Sequence, residues 1–172
     1  YNSGADYEEN LGGIGTVIAH EISHAFDLVG SQFDRDGNLA DWWTAADKTA
    51  FDEVCKMVIK EYDGIKSGEG IIDGKKTVNE NIADLAGMSS VVSLAAEKGL
   101  DFDKVFRSYA KVWRTKMTPE YEGLMLKDDI HSPAKVRVNR VLSNFEEFYI
   151  CYGVEEGDGM YIPIQNRIDI WD

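Results

Sequence analysis

The stretch Gly12-Gly13-Ile14-Gly15-Thr16-Val17-Ile18-Ala19-His20-Glu21-Ile22-Ser23-His24-Ala25-Phe26-Asp27 decides how the rest of the chain is read. Its apolar groups at Ile14, Val17, Ile18, Ile22 and Phe26 recur at helical spacing and predict a helix over residues 12–27. On that helix His20 and His24 stand one turn apart, on the same face. Two imidazoles so placed can bind one zinc ion, with Glu21 beside the metal's open position. The pattern fixes few positions, so two core or surface histidines on an amphipathic helix are the alternative. The chain holds only 3 histidines, and two of them fall in this motif, which favours the metal.

A catalytic zinc takes a third protein ligand and leaves one position to water. The best candidate is Glu80, in Asn79-Glu80-Asn81-Ile82-Ala83-Asp84. Glu80 and Asp84 are again one turn apart and can face one site. Glu80 then binds the metal, and Asp84 accepts the proton on the far nitrogen of a ligand histidine. The competing role for Glu80 is a capping glutamate paired with Thr77, which would turn its carboxylate back on its own helix. Asp27 can orient His24 as Asp84 orients a histidine, or it is a solvated residue at a helix end. The third histidine, His131, follows a turn-like LKDDIHSP and can donate to an oxyanion. Asp129 can orient it, and Arg137 offers a fixed fork of donors. On the residues alone, a surface role for these three is favoured over a catalytic one.

The rest of the chain reads as mostly helical. The first ten residues look like a loop. A Gly/Asp/Asn-rich loop spans Gly30 to Asn38, and Thr44 with Asp47 resembles a capping box ahead of a helix reaching Tyr62. Gly64 to Lys76 is a connection with a short strand at Ile71 and Ile72. A second capping box at Thr77 and Glu80 predicts a helix that stops at Gly99. Another helix is expected from Asp103 to Lys116, and a short helical turn at Pro119. Val136 to Leu142 fits strand or helix. The tail is expected to be extended and tied down by Trp171.

With 172 residues the chain has room for one domain with a sizeable core. Acidic residues outnumber basic ones 31 to 18, and the net charge of −13 disfavours a nucleic-acid partner. No apolar stretch approaches the length of a membrane span, and no signal peptide is expected in this segment. The chain opens at Tyr1, as expected of a processed protein or of a piece of a longer one. Cys55 and Cys151 allow at most one disulfide.

Taken in order, GGIGTVIAHEISHAFD, DWWT, ENIADLAG, SYAKVWRTK, DDIHSPAKVRVN and the terminal IDIWD resemble the C-terminal catalytic part of the neprilysin-like zinc metalloendopeptidases, which include bacterial oligopeptidases. The resemblance spans nearly the whole chain. It implies a mainly α-helical fold with minor β, the thermolysin-like zinc lobe, with residues 1–172 forming one C-terminal zinc-binding subdomain. It implies a single zinc ion on His20, His24 and Glu80, with Glu21 as general base. Asp84 and Asp27 match supporting carboxylates, His131 matches a transition-state histidine, and Asp129 matches its partner. Arg137 matches an arginine that contacts the substrate backbone. Val112 and Trp113 match residues shaping the apolar pocket for the residue after the cut, with Val17 sharing in it.

The implied substrates are short peptides cut on the amino side of apolar residues. The implied partner is a large N-terminal helical portion absent from this chain. The resemblance points to a bacterial, disulfide-free version, in the cytoplasm ahead of the periplasm or cell surface. A zinc-binding peptide-binding or assembly module without catalysis is the alternative; the presence of Glu21 argues against it, because zinc binding alone does not require that carboxylate.

Overall fold

The computed structural model describes residues 1–171. The fold is built around one long helix, α4 (Gly74–Lys98), whose buried side chains lie on almost every face. Ile82, Leu85, Met88, Val91 and Val92 fill the centre, with Ala83, Ala86 and Ala95 where neighbours come close. Around it lie α2 (Thr16–Ser23), α3 (Ala45–Tyr62), α5 (Phe102–Val112) and α7 (Ala134–Leu142). The smaller helices are α1 (Tyr7–Asn10), α6 (Pro119–Asp128) and α8 (Glu146–Tyr152). The only sheet among the described residues is the hairpin of β1 (Lys66–Ser67) and β2 (Gly70–Ile71), paired antiparallel and packed on α6. The architecture is mainly helical with minor β, as expected.

Several boundaries differ from the sequence reading. The first ten residues are not all loop: Asp6 accepts the backbone N–H of Glu9 and starts α1. The helix expected over 12–27 is three pieces, a π-helical segment Leu11–Gly15, then α2, then a 3-10 turn His24–Phe26. The wide turn re-aims the face that follows it, a device common near functional sites. The capping box at Thr44 and Asp47 forms reciprocally, with both bonds at 3.2 Å.

The second expected capping box does not form. Asp73 caps α4 instead, accepting from the amides of Lys75 and Lys76, so the helix starts before Thr77. Asp is among the strongest N-caps, and it reaches the free amides first. Thr77 is inside the first turns and donates to the carbonyl of Asp73. Glu80 is thereby released from any capping duty. The stop at Gly99 is as expected: its φ of 64° is the left-handed cap conformation that glycine adopts without strain.

Further along, α5 ends at Val112 rather than Lys116, the turn at Pro119 extends into a ten-residue helix, and Val136–Leu142 is helical. Helix α8 was not foreseen, since its Phe-Tyr-Ile-Cys-Tyr run favours strand by propensity and becomes helical by packing on α5. The tail is largely extended, but Trp171 is half-exposed and only rests against Phe26. The tail is fixed instead by buried Ile162 and Ile168. The N–H of Ile162 donates to the Tyr149 hydroxyl, and that of Ile168 donates to Oδ1 of Asn144.

Asn144 also donates to the carboxylate of Glu61 at 3.2 Å. Burial pushes Glu61 up from 4.5 to about 7, against the opposing effects of Asn144 and Arg140. The folded state therefore holds a proton there more tightly than the unfolded chain does. Stability from this group is full below pH 4.5 and falls as pH rises through about 7. Glu61→Gln keeps the acceptor and is expected to add about 1 kcal/mol at pH 8 but nothing at pH 4. Urea unfolding at the two pH values checks this.

One close approach places the motif helix. A Cβ at Gly87 would stand 2.8 Å from the backbone nitrogen of His20. Only glycine lets α4 and α2 come this near. Gly87→Ala is expected to destabilise the fold by about 1–3 kcal/mol, the usual cost of overpacking. Because the displaced atoms belong to His20, zinc affinity should fall as well. Urea unfolding and a zinc competition titration measure the two effects separately.

Candidate metal centre and cleft

Helix α2 brings His20 and His24 to the face of α4 that carries Glu80 and Asp84. Nε2 of His20 and Nε2 of His24 are 3.1 Å apart. They lie 3.3 and 3.5 Å from Oε2 of Glu80. Ligand atoms about 2.0–2.1 Å from a tetrahedral ion are themselves about 3.3 Å apart, and the three separations bracket that value. The three residues are the one His/Cys/Asp/Glu group of metal-holding geometry found among the described residues.

Each outer nitrogen faces a carboxylate, His24 in a hydrogen bond and His20 in an ion-pair contact. Nδ1 of His20 lies 2.8 Å from Oδ1 of Asp84, and Nδ1 of His24 lies 2.8 Å from Oδ2 of Asp27. With protons on the Nδ1 atoms, both Nε2 atoms present lone pairs to each other and to Glu80. Oε2 of Glu80 is buried without a hydrogen-bond partner. Such a set of two nitrogens and one oxygen calls for a cation, and it fits zinc. Without a metal, burial opposes charge on His20, yet Asp84 and Glu80 outweigh it and raise its pKa to about 9, so binding an ion there must displace the Nε2 proton.

Asp27 is buried, not solvated, and its other oxygen accepts the amides of Val29 and Gly30. Glu80 is held below its ordinary range: burial pushes it up, but His20 and the neighbouring His131 and His24 overcome this.

His131 sits opposite, its Nε2 3.1 Å from Oε2 of Glu80 and its Nδ1 2.7 Å from Oδ1 of Asp129. Asp129 also accepts the backbone N–H of His131. A buried chain fixes this loop to α4: Ser132 donates to Asn81, which donates to Thr77. Nothing in the sequence reading singled out Asn81 or Ser132. The Thr77/Asn81 pair at helical spacing was the available signal, obscured by the expected capping role.

Arg137 donates from Nε and Nη2 to the two oxygens of Asp84, both at 2.7 Å, and its guanidinium lies 3.6 Å from the Trp113 ring centroid. Asp84 therefore serves His20 and Arg137 together. A cavity of about 260 Å³ adjoins the cluster, lined by Thr16, Val17, His20, Glu21, Asp84, Trp113, His131 and Arg137. Glu21 is exposed, at the edge of this cavity. Val112 is not among its lining residues; it is 43% exposed and stands beside Gly13. Both cysteines are free thiols. Among the described residues, no helix is long and apolar enough to cross a membrane.

The helical fold and a His/His/Glu cluster with a zinc-compatible donor set define a gluzincin-like metallopeptidase lobe. Residues 1–168 match the model of peptidase family M13, and the chain belongs to that family. It is 47% identical over 164 residues to a neutral endopeptidase of Lactococcus lactis, covering 95% of this chain and 26% of that protein. The crystal structure of PepO from Lactobacillus rhamnosis HN001 superposes with a TM-score of 0.93 at 41% identity, covering 99% of this chain and 28% of the other. The zinc metalloprotease of Mycobacterium tuberculosis in complex with an inhibitor gives 0.92 at 36% identity, covering 100% and 29%. The chain thus spans about a quarter of the length of these curated relatives.

Proposed function

We propose that the protein carrying this chain is a zinc endopeptidase that cuts short peptides on the amino side of apolar residues. The chain would be its C-terminal zinc-binding part. The observation that carries the reading is the buried Oε2 of Glu80, without a hydrogen bond, facing the Nε2 atoms of His20 and His24 on one side and that of His131 on the other, beside a cavity that Glu21 lines. His20, His24 and Glu80 would hold the ion. When bound there, zinc supplies Lewis acidity that polarises a water and the scissile carbonyl.

The remaining steps belong to the protein. Glu21 accepts the attacking water's proton and returns it to the leaving amine. His131, aligned by Asp129, donates to the oxygen that gains charge. Arg137 has two of its nitrogens committed to Asp84, so it braces the cleft and keeps only its remaining donors for substrate backbone. Val17 and Trp113 give the cavity an apolar wall for the residue after the cut.

The isolated chain is proposed to bind zinc but to turn over slowly. Ile14, Ile18 and Ile22 are 37%, 53% and 64% exposed along one stripe beside the motif. An N-terminal helical portion of the same protein would cover that stripe and clamp the peptide.

The test is metal analysis of metal-free protein after zinc is added back, with hydrolysis of an internally quenched peptide by the full-length protein. One zinc per chain is expected, with cleavage abolished by a chelator and restored by zinc. A zinc ratio near zero would overturn the reading. Zinc uptake without cleavage by the full-length protein would leave a non-catalytic binding module.

A further inference from the structure

A groove of about 1020 Å³ continues from the Trp113, His131 and Arg137 side of the site. Its charge is opposite to that of the chain. Lys66 on β1, Arg114 and Lys116 after α5, and Lys135 and Arg140 on α7 line it, together with Arg137. The lining carries only two carboxylates, Glu122 and Asp129. Both are occupied, Glu122 by the Ser67 hydroxyl and Asp129 by His131. Arg137 is paired with Asp84. Among the described residues none of the other five cations forms an ion pair, though Arg140 also faces Glu61. By contrast Lys48, Lys56, Lys104, Arg107 and Arg167 all have carboxylate partners elsewhere on the surface. Five cations without a carboxylate partner thus share one concavity of a chain whose net charge is −13, while Lys60, Lys75, Lys76, Lys98 and Lys127, which form no ion pair among the described residues either, lie outside its lining.

We propose that this groove binds carboxylates of the peptide substrate on the carboxyl side of the cut, making acidic residues there a determinant of specificity. This rests on the endopeptidase reading, in which the Trp113 wall receives the residue after the cut and the following residues run into the groove. The chain's overall negative charge does not cancel the effect. Charges more than about 10 Å away are screened at 0.1 M salt, so the nearby lysines and arginines dominate inside the groove. Arg114 and Lys116 lie on an irregular segment and can reach a carboxylate without disturbing a helix, Arg114 as a two-donor fork and Lys116 as a point charge.

The test uses zinc-loaded full-length protein carrying Glu21→Gln, so that peptides bind uncut. Fluorescent peptides with an apolar residue followed by Glu-Glu, Gln-Gln or Lys-Lys are titrated, each with a free and an amidated terminus. The Glu-Glu peptide is expected to bind about 10-fold more tightly than Gln-Gln at low salt, the difference shrinking to about twofold at high salt. Lys-Lys should bind weakest. Because the terminus is common to all three peptides, a preference retained on amidation belongs to the side chains; its loss on amidation would overturn their assignment to the groove. Arg114, Lys116 and Lys135 are exposed, so their combined replacement by Gln spares the core and is expected to erase the preference.

Equal affinity for all free-acid peptides, or a preference that survives the triple replacement, would overturn the proposal. Zinc content and cleavage of the Gln-Gln peptide by protein retaining Glu21 are measured in parallel. Zinc uptake and cleavage without charge preference sink the groove alone. Absence of zinc uptake sinks the functional reading.

Discussion

Asp84→Ala is expected to cost the metal-free chain about 3–5 kcal/mol and to weaken zinc binding by about 10–100-fold. Asp84 is 2% exposed, and it touches Nδ1 of His20 as well as two nitrogens of Arg137. Burial pushes its carboxyl up, but His20 and Arg137 hold it below the ordinary range, so it is ionised in the fold. Removing it leaves a guanidinium that is 5% exposed with no counter-charge. An uncompensated buried charge is the expensive outcome, more so than the loss of the pair's own attraction. The same substitution removes the acceptor that faces His20, and loss of such a partner weakens the ligand.

The two effects can be separated. Arg137→Met placed on top of Asp84→Ala removes the orphaned charge and should recover much of the stability, but none of the zinc affinity. Asp84→Asn keeps the shape and one acceptor and should fall between wild type and alanine. Urea unfolding of metal-free protein and zinc competition titrations give the two readouts. A stability change below about 1 kcal/mol with unchanged zinc affinity would show that Asp84 does not couple the two residues.

What could be read in the sequence follows from what is local. His20 with His24, and Glu80 with Asp84, are each one turn apart, and helix geometry alone puts each pair on one face. The approach of the two faces depends on Gly87, whose missing side chain carries no periodic signal. The role of Asp84 towards Arg137 was hidden for a similar reason, since 53 residues separate them. The start of α4 was misplaced because Thr77 and Glu80 have capping-box spacing, while Asp73, the stronger cap, comes first in the chain. That misplacement mattered chemically: a capping Glu80 could not have faced the histidines. Helix α8 was missed because packing on α5 overrides the strand preference of its aromatic and β-branched residues. The histidine–carboxylate pairs were the most legible part. His24 with Asp27 and His131 with Asp129 are close in sequence, and both contacts form, at 2.8 and 2.7 Å.

Glu21→Gln in the full-length protein is expected to leave zinc content unchanged and to lower peptide hydrolysis by about 10²–10⁴-fold. The side chain is exposed on α2, at the edge of the cavity that His20, His131 and Arg137 also line. Among the described residues it makes no hydrogen bond or ion pair, so neither the fold nor the ligand set depends on its charge. A glutamine has nearly the same shape and still accepts a hydrogen bond, but it cannot take a proton from water. Position is thereby kept and proton transfer alone is lost. His131→Ala supplies the comparison. It should also keep zinc, and it should lose about 10²–10³-fold, the usual cost of one donor to a developing oxyanion. Hydrolysis by Glu21→Gln within about tenfold of wild type, at equal zinc content, would remove Glu21 from the proton path and leave its place in the motif without a chemical account.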